Sequence, residues 1–130
     1  MFDPVGFGVV RETLPRERRV ALTPQGAEQL ITLGHAVLLG SGAGVEAGFE
    51  DDDYRAVGAT VCLSDREVAT SADVLVKIHG PRKDEPELFT ESGTVTGFMH
   101  LSNPDSADVR TTMRERRMNA IAWELLEEND

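Results

Sequence analysis

Apolar positions along the chain fall into short runs that switch between two periods. Val5 to Val10 (Val-Gly-Phe-Gly-Val-Val) is almost wholly apolar, the pattern of a buried first strand. After a charged segment, Thr23-Pro24 offers an N-cap and a first-turn proline. Ala27, Leu30, Ile31 and Leu33 then supply a helical face that ends at Gly34. Ala36 to Leu39 predicts a second strand, Asp51 to Val57 a short helix closed by Gly58, and Thr60 to Leu63 a third strand. Ser64-Asp65-Arg66-Glu67 has capping-box spacing and opens another helix. Val74 to Ile78 is nearly continuous in apolar residues, as in a strand covered on both faces of a parallel sheet. Asp84 to Phe89 predicts a turn of helix and Thr94 to Met99 a strand. Asp105 to Arg117 reads as a helix with acid early and arginine late, as its dipole prefers, and Asn119 to Trp123 as a last strand. The tail Glu124 to Asp130 is acidic and carries no stop signal.

Strands and helices thus alternate with short connections and no internal repeat. That order predicts an α/β fold, a three-layer doubly wound and mostly parallel sheet of the Rossmann-like or flavodoxin-like kind. The 130 residues fit a single domain with a real core. In such a sheet, ligands meet the loops that leave the carboxyl ends of the strands.

Composition narrows the function. Thirteen basic against 23 acidic residues give a net charge of −10, which argues against nucleic-acid or membrane-surface binding, since both need a positive face. Lys77 and Lys83 are the only lysines; the other basic residues are arginines, a balance that fits a high-salt cytoplasm. No apolar run approaches the length of a membrane helix, and the N-terminus lacks a basic-then-apolar signal, so a cytoplasmic location is expected. The single Cys62 excludes an internal disulfide and a multi-thiolate metal site; it reads as a buried, inert thiol. No metal is expected.

Three loops carry candidate chemistry. Arg11 to Pro24 holds Arg11, Glu12, Arg16, Glu17 and Arg18 ahead of Arg19, whose planar fork suits a carboxylate. The bland alternative is a set of solvated loop charges. His79 ends the Lys77 strand and His100 the next one; each is a candidate acid or base near neutral pH. Lys77 itself reads as a stem crossing the sheet edge with its head in solvent. His35 reads as a surface residue at a helix end. A carboxylate holder plus a histidine donor suits binding and polarising a small 2-oxo acid. No electron carrier is provided: Gly40 to Gly48 contains a Gly-x-Gly pair, but the following Glu50-Asp51-Asp52-Asp53 would repel a pyrophosphate. This stretch reads as a mobile connection or contact surface.

Several runs together resemble a known family. They are Arg11 to Pro24 with its Arg-Val-Ala-Leu-Thr-Pro ending, Leu33-Gly34-His35-x-Val37, Gly42-Ala43-Gly44, Asp53-Tyr54 with Val57-Gly58-Ala59, Ala72 to Lys77, and Met99-His100-Leu101. Over nearly the whole chain they resemble the N-terminal domain of alanine dehydrogenase. The wider group includes the transhydrogenase α subunit and the saccharopine and lysine dehydrogenases. The resemblance implies that residues 1–130 are the substrate-side, catalytic domain of a longer two-domain enzyme. That enzyme would convert L-alanine, NAD and water to pyruvate, ammonia and NADH, with NAD bound mainly by a separate Rossmann domain. It further implies a homo-oligomer, an inactive isolated domain, Arg19 on the substrate carboxylate, and His100 as catalytic acid/base. Lys77 matches the first lysine of the family's Lys-Val-Lys-Glu-Pro run and is implied, with Arg19 and His79, as a substrate-binding residue. His79 stands where the second, substrate-contacting lysine would be. The alternative is a non-enzymatic small-acid-binding module or subunit that acts with a partner.

Overall fold

The computed structural model describes residues 3–127. Six parallel strands form one sheet: β1 (Gly6–Val9), β2 (Ala36–Gly40), β3 (Thr60–Cys62), β4 (Val74–His79), β5 (Thr94–Phe98) and β6 (Asn119–Ala122), in the order β3-β2-β1-β4-β5-β6. The doubly wound expectation holds, and every pairing is parallel. The strands match the predicted runs to within a residue at most ends. The segment after Thr94 to Phe98 turns out of the sheet at Met99.

Four helices cover the two faces. Helix α1 (Pro24–Thr32) starts as its sequence dictates, with Thr23 accepting from the Gly26 N–H and proline at the first position. Helix α2 (Asp51–Ala56) carries a reciprocal capping box between Glu50 and Asp53. With Val9, Val37 and Leu39 of the sheet, Ala27 and Tyr54 make one core layer. Fully buried Tyr54 donates its hydroxyl to the Leu22 carbonyl oxygen at 2.7 Å, and burial pushes its pKa up to about 12. On the opposite face, α3 (Asp65–Ser71) and α4 (Ala107–Glu115) contribute Val68, Ala69 and Met113 to a second layer with Val10, Leu75 and Val95. Cys62 lies in that layer, and burial raises its thiol pKa, as the sequence predicts for an inert thiol. The turn expected from Asp84 is a single 3-10 turn, Pro86–Leu88, and the helix expected from Asp105 begins with another, Pro104–Ser106.

Gly40 to Gly48 is a hydrogen-bonded turn: Ala43 N–H donates to Gly40 O, while Gly42 N–H and the Ser41 hydroxyl both donate to the Asp51 carboxylate. One expectation needs correction. His35 is half-buried and structural, its Nδ1 accepting from the Val5 N–H at 3.0 Å. The last residues of the acidic tail, 128–130, lie outside the described range.

The strand order decides where a ligand could sit. After β3 the chain crosses back to lay β4 beside β1, so connections diverge to opposite faces between those two strands. A crevice opens at such a switch point, outside the carboxyl ends.

Candidate active site

The end of β4 is irregular. Val76 pairs with Thr96 and His79 with Phe98, so β4 spends three residues where β5 spends two. This extra residue is a bulge, which bends a strand and frees backbone groups from the ladder. Lys77 and Ile78 are therefore buried in succession, against the alternation of a flat strand. Gly97 faces the bulge on β5; a Cβ there would lie 2.3 Å from the Lys77 carbonyl oxygen.

Glu12, on the loop after β1, fills the break. Its Oε2 accepts from Ile78 N–H and its Oε1 from His79 N–H, both at 3.0 Å. Lys77 is correspondingly interior, at 1% exposure, with Nζ 3.0 Å from Glu85 Oε2 and 3.5 Å from Glu12 Oε1. The expectation of a solvated lysine head is overturned: two acidic partners make it better to leave the ammonium inside the fold. Glu85 Oε1 also accepts from the Arg82 N–H, tying down the loop after β4.

Above this buried group, His79 is half-buried and its Nε2 lies 2.8 Å from Glu17 Oε1. Arg19 grips the same carboxylate through Nε (3.2 and 3.0 Å) and Nη2 (2.6 Å), while its own side chain stays 65% exposed. The Arg19 hydrogen bond, helped by that from His79, lowers the Glu17 pKa to about 2. The predicted carboxylate holder thus already holds a carboxylate, that of its own loop.

His100 follows β5 in the left-handed region (φ 49°). Its ring stacks on Phe98, with centroids 6.4 Å apart. Its N–H donates to Glu124 Oε1 at 3.1 Å, and Met99 N–H donates to both Glu124 oxygens at 3.0 and 3.1 Å. Desolvation works to raise the Glu124 pKa, but these amide hydrogen bonds outweigh it and hold the group below the usual carboxylate range. His79 and His100 line one cavity of about 370 Å³, with Leu14, Arg82, Phe98 and Asp105 among its walls. Of the four predicted site residues, then, two share the cavity, Arg19 joins His79 through Glu17, and Lys77 lies beneath in the sheet. Sequence reasoning missed Glu12, Glu17, Glu85 and Glu124 as parts of the site; only the charge density of Arg11 to Pro24 hinted at the first two.

Among the described residues no cluster of three His, Cys, Asp or Glu could hold a metal ion. The start of α2, where the Gly-x-Gly pair would present a pyrophosphate, is occupied by Asp51, Glu50 and Asp53, which already take the local N–H groups. Among the described residues no helix is long and apolar enough to cross a membrane.

The family profile described as "Alanine dehydrogenase/PNT, N-terminal domain" matches residues 8–130. The chain belongs to that family. It is 32% identical over 121 residues to an alanine dehydrogenase of Methanococcus maripaludis and 34% over 123 residues to one of Bacillus subtilis, covering 93% and 94% of this chain. It is also 34% identical over 120 residues to an NAD(P) transhydrogenase subunit alpha of Cereibacter sphaeroides, covering 92% of this chain and 23% of that one. A solved L-alanine dehydrogenase superposes with a TM-score of 0.85 at 30% identity, over 92% of this chain and 32% of that one. The chain spans about a third of the length of the alanine dehydrogenases it matches.

Proposed function

We propose that this chain is the substrate-side domain of an NAD-dependent amino-acid dehydrogenase that interconverts L-alanine and pyruvate. The reading rests chiefly on one observation: two histidines from the carboxyl ends of the neighbouring strands β4 and β5 line one cavity, and an arginine is linked to one of them through a shared carboxylate. In this reading the substrate carboxylate exchanges with Glu17 on the Arg19 fork. His79 donates to the carboxylate or carbonyl, where the family places a lysine. His100 gives a proton to the carbonyl oxygen as ammonia adds and that oxygen leaves as water, giving the imine that is then reduced to alanine; in the oxidative direction it takes a proton from the water that adds to the imine. Lys77 acts from beneath, through Glu12 and Glu85. In the same reading NAD is held mainly by another part of a longer, cytoplasmic, homo-oligomeric protein.

The native protein should oxidise NADH with pyruvate and ammonium. His100→Gln should lower kcat by about 10²–10⁴-fold, the usual worth of a positioned proton donor. Arg19→Ala should lower kcat/KM by about 10²-fold or more, since it strips a carboxylate of its partner. Absence of NADH oxidation by the unmodified protein would reject this reading. The transhydrogenase likeness supports a second one, a subunit that works beside a nicotinamide nucleotide without touching an amino acid. Nicotinamide-nucleotide exchange without pyruvate turnover would favour it.

A further inference from the structure

Both candidate histidines sit one residue beyond a point where strand pairing fails, and the same device holds each of them. At β4, the Ile78 and His79 N–H groups go to Glu12; at the end of β5, the Met99 and His100 N–H groups go to Glu124. Each glutamate comes from the loop or turn after the adjacent strand, β1 in one case and β6 in the other. Carboxylate-to-amide hydrogen bonds are stronger than neutral ones. His100 needs such a hold, because a non-glycine residue at φ 49° is not in its preferred backbone well. We propose that Glu12 and Glu124 are paired positioning residues that fix His79 and His100 across the cavity, Glu12 serving substrate binding and Glu124 serving turnover. The division of labour rests on the dehydrogenase reading; the clamping itself does not.

The two clamps differ in one atomic detail that makes the proposal testable. Glu12 uses a separate oxygen for each amide, so a glutamine there would turn its NH₂ group towards one of them. Glu124 Oε1 accepts from both amides by itself, so a glutamine can keep both contacts. In the native protein, Glu124→Ala should lower kcat by about 10- to 100-fold with KM within about twofold, as expected when a reacting group is misplaced. Glu124→Gln should recover most of that loss. Glu12→Gln should raise the KM for pyruvate by about tenfold or more and should not behave as a rescue. Glu124 is solvent-exposed, so its variants should melt near the unmodified temperature; a kcat loss matched by a collapsed melt would be a folding effect and would count against positioning. Unchanged kcat in Glu124→Ala would overturn the proposal. Amide hydrogen exchange at Met99 and His100 supplies a readout that needs no activity. Faster exchange in Glu124→Ala supports the clamp even if no dehydrogenase turnover is found, and unchanged exchange rejects it whatever the turnover.

Discussion

At the scale of single residues, Glu17 decides how the site behaves when empty. It satisfies Arg19 and His79 together, so a substrate carboxylate must replace an interaction rather than fill a gap. Removing that competitor should help binding: Glu17→Gln should lower the KM for pyruvate, and a KM that rises would mean that Glu17 mainly orients Arg19. The same residue sets a pH signature. Its folded pKa of about 2 lies below the ordinary 4.5, so its contribution to stability is fully present above pH 4.5 and is lost as pH falls towards 2. The gap in melting temperature between the unmodified protein and Glu17→Gln should therefore close over that window. A constant gap down to the acid end would mean that the Arg19 contact gives no folded-state preference for the carboxylate.

At the scale of elements, the β4 bulge and its neighbour Gly97 set the height of the site floor. Gly97→Ala would press a methyl group into the Lys77 carbonyl and should destabilise the fold by about 1–3 kcal/mol in urea titrations, as overpacking does. Lys77→Met would leave Glu12 and Glu85 as buried acids without their shared cation, with an expected loss of about 3–5 kcal/mol. Near-unchanged midpoints would remove both residues from the structural argument. These elements also divide what sequence could foretell from what it could not. The strands and caps were legible because their signals are local: Thr23-Pro24 caps a helix wherever it occurs, and Val74 to Ile78 is apolar in any context. The bulge was not legible, because Lys77 looks like a polar interruption until Glu12, far away in the chain, and Glu85 are seen to close around it. Glu124 read as part of an acidic tail for the same reason: its partners, Met99 and His100, stand just past the end of the neighbouring strand.

At the scale of the whole molecule, the site and the surface obey opposite electrostatic rules. Near the site, charges are paired in small closed groups: Lys77 with Glu12 and Glu85, and Arg19 and His79 with Glu17. Elsewhere acid predominates, and the net of −10 is spread over 130 residues that include only two lysines. Unpaired like charges repel one another in the compact state and relax when the chain expands, so they oppose folding at low ionic strength. Salt shortens the reach of that repulsion from roughly 30 Å at 0.01 M to about 3 Å at 1 M, while buried pairs are screened much less. The surface should therefore gain stability from salt without the inner network losing its own. The melting temperature should rise continuously from millimolar to molar potassium chloride, and Lys77→Met should melt lower by a nearly constant interval across that range. A flat curve for the unmodified protein would show that its acidic surface is not a brake on folding. An interval that shrinks with salt would show that the Lys77 group is reached by solvent ions, contrary to its burial.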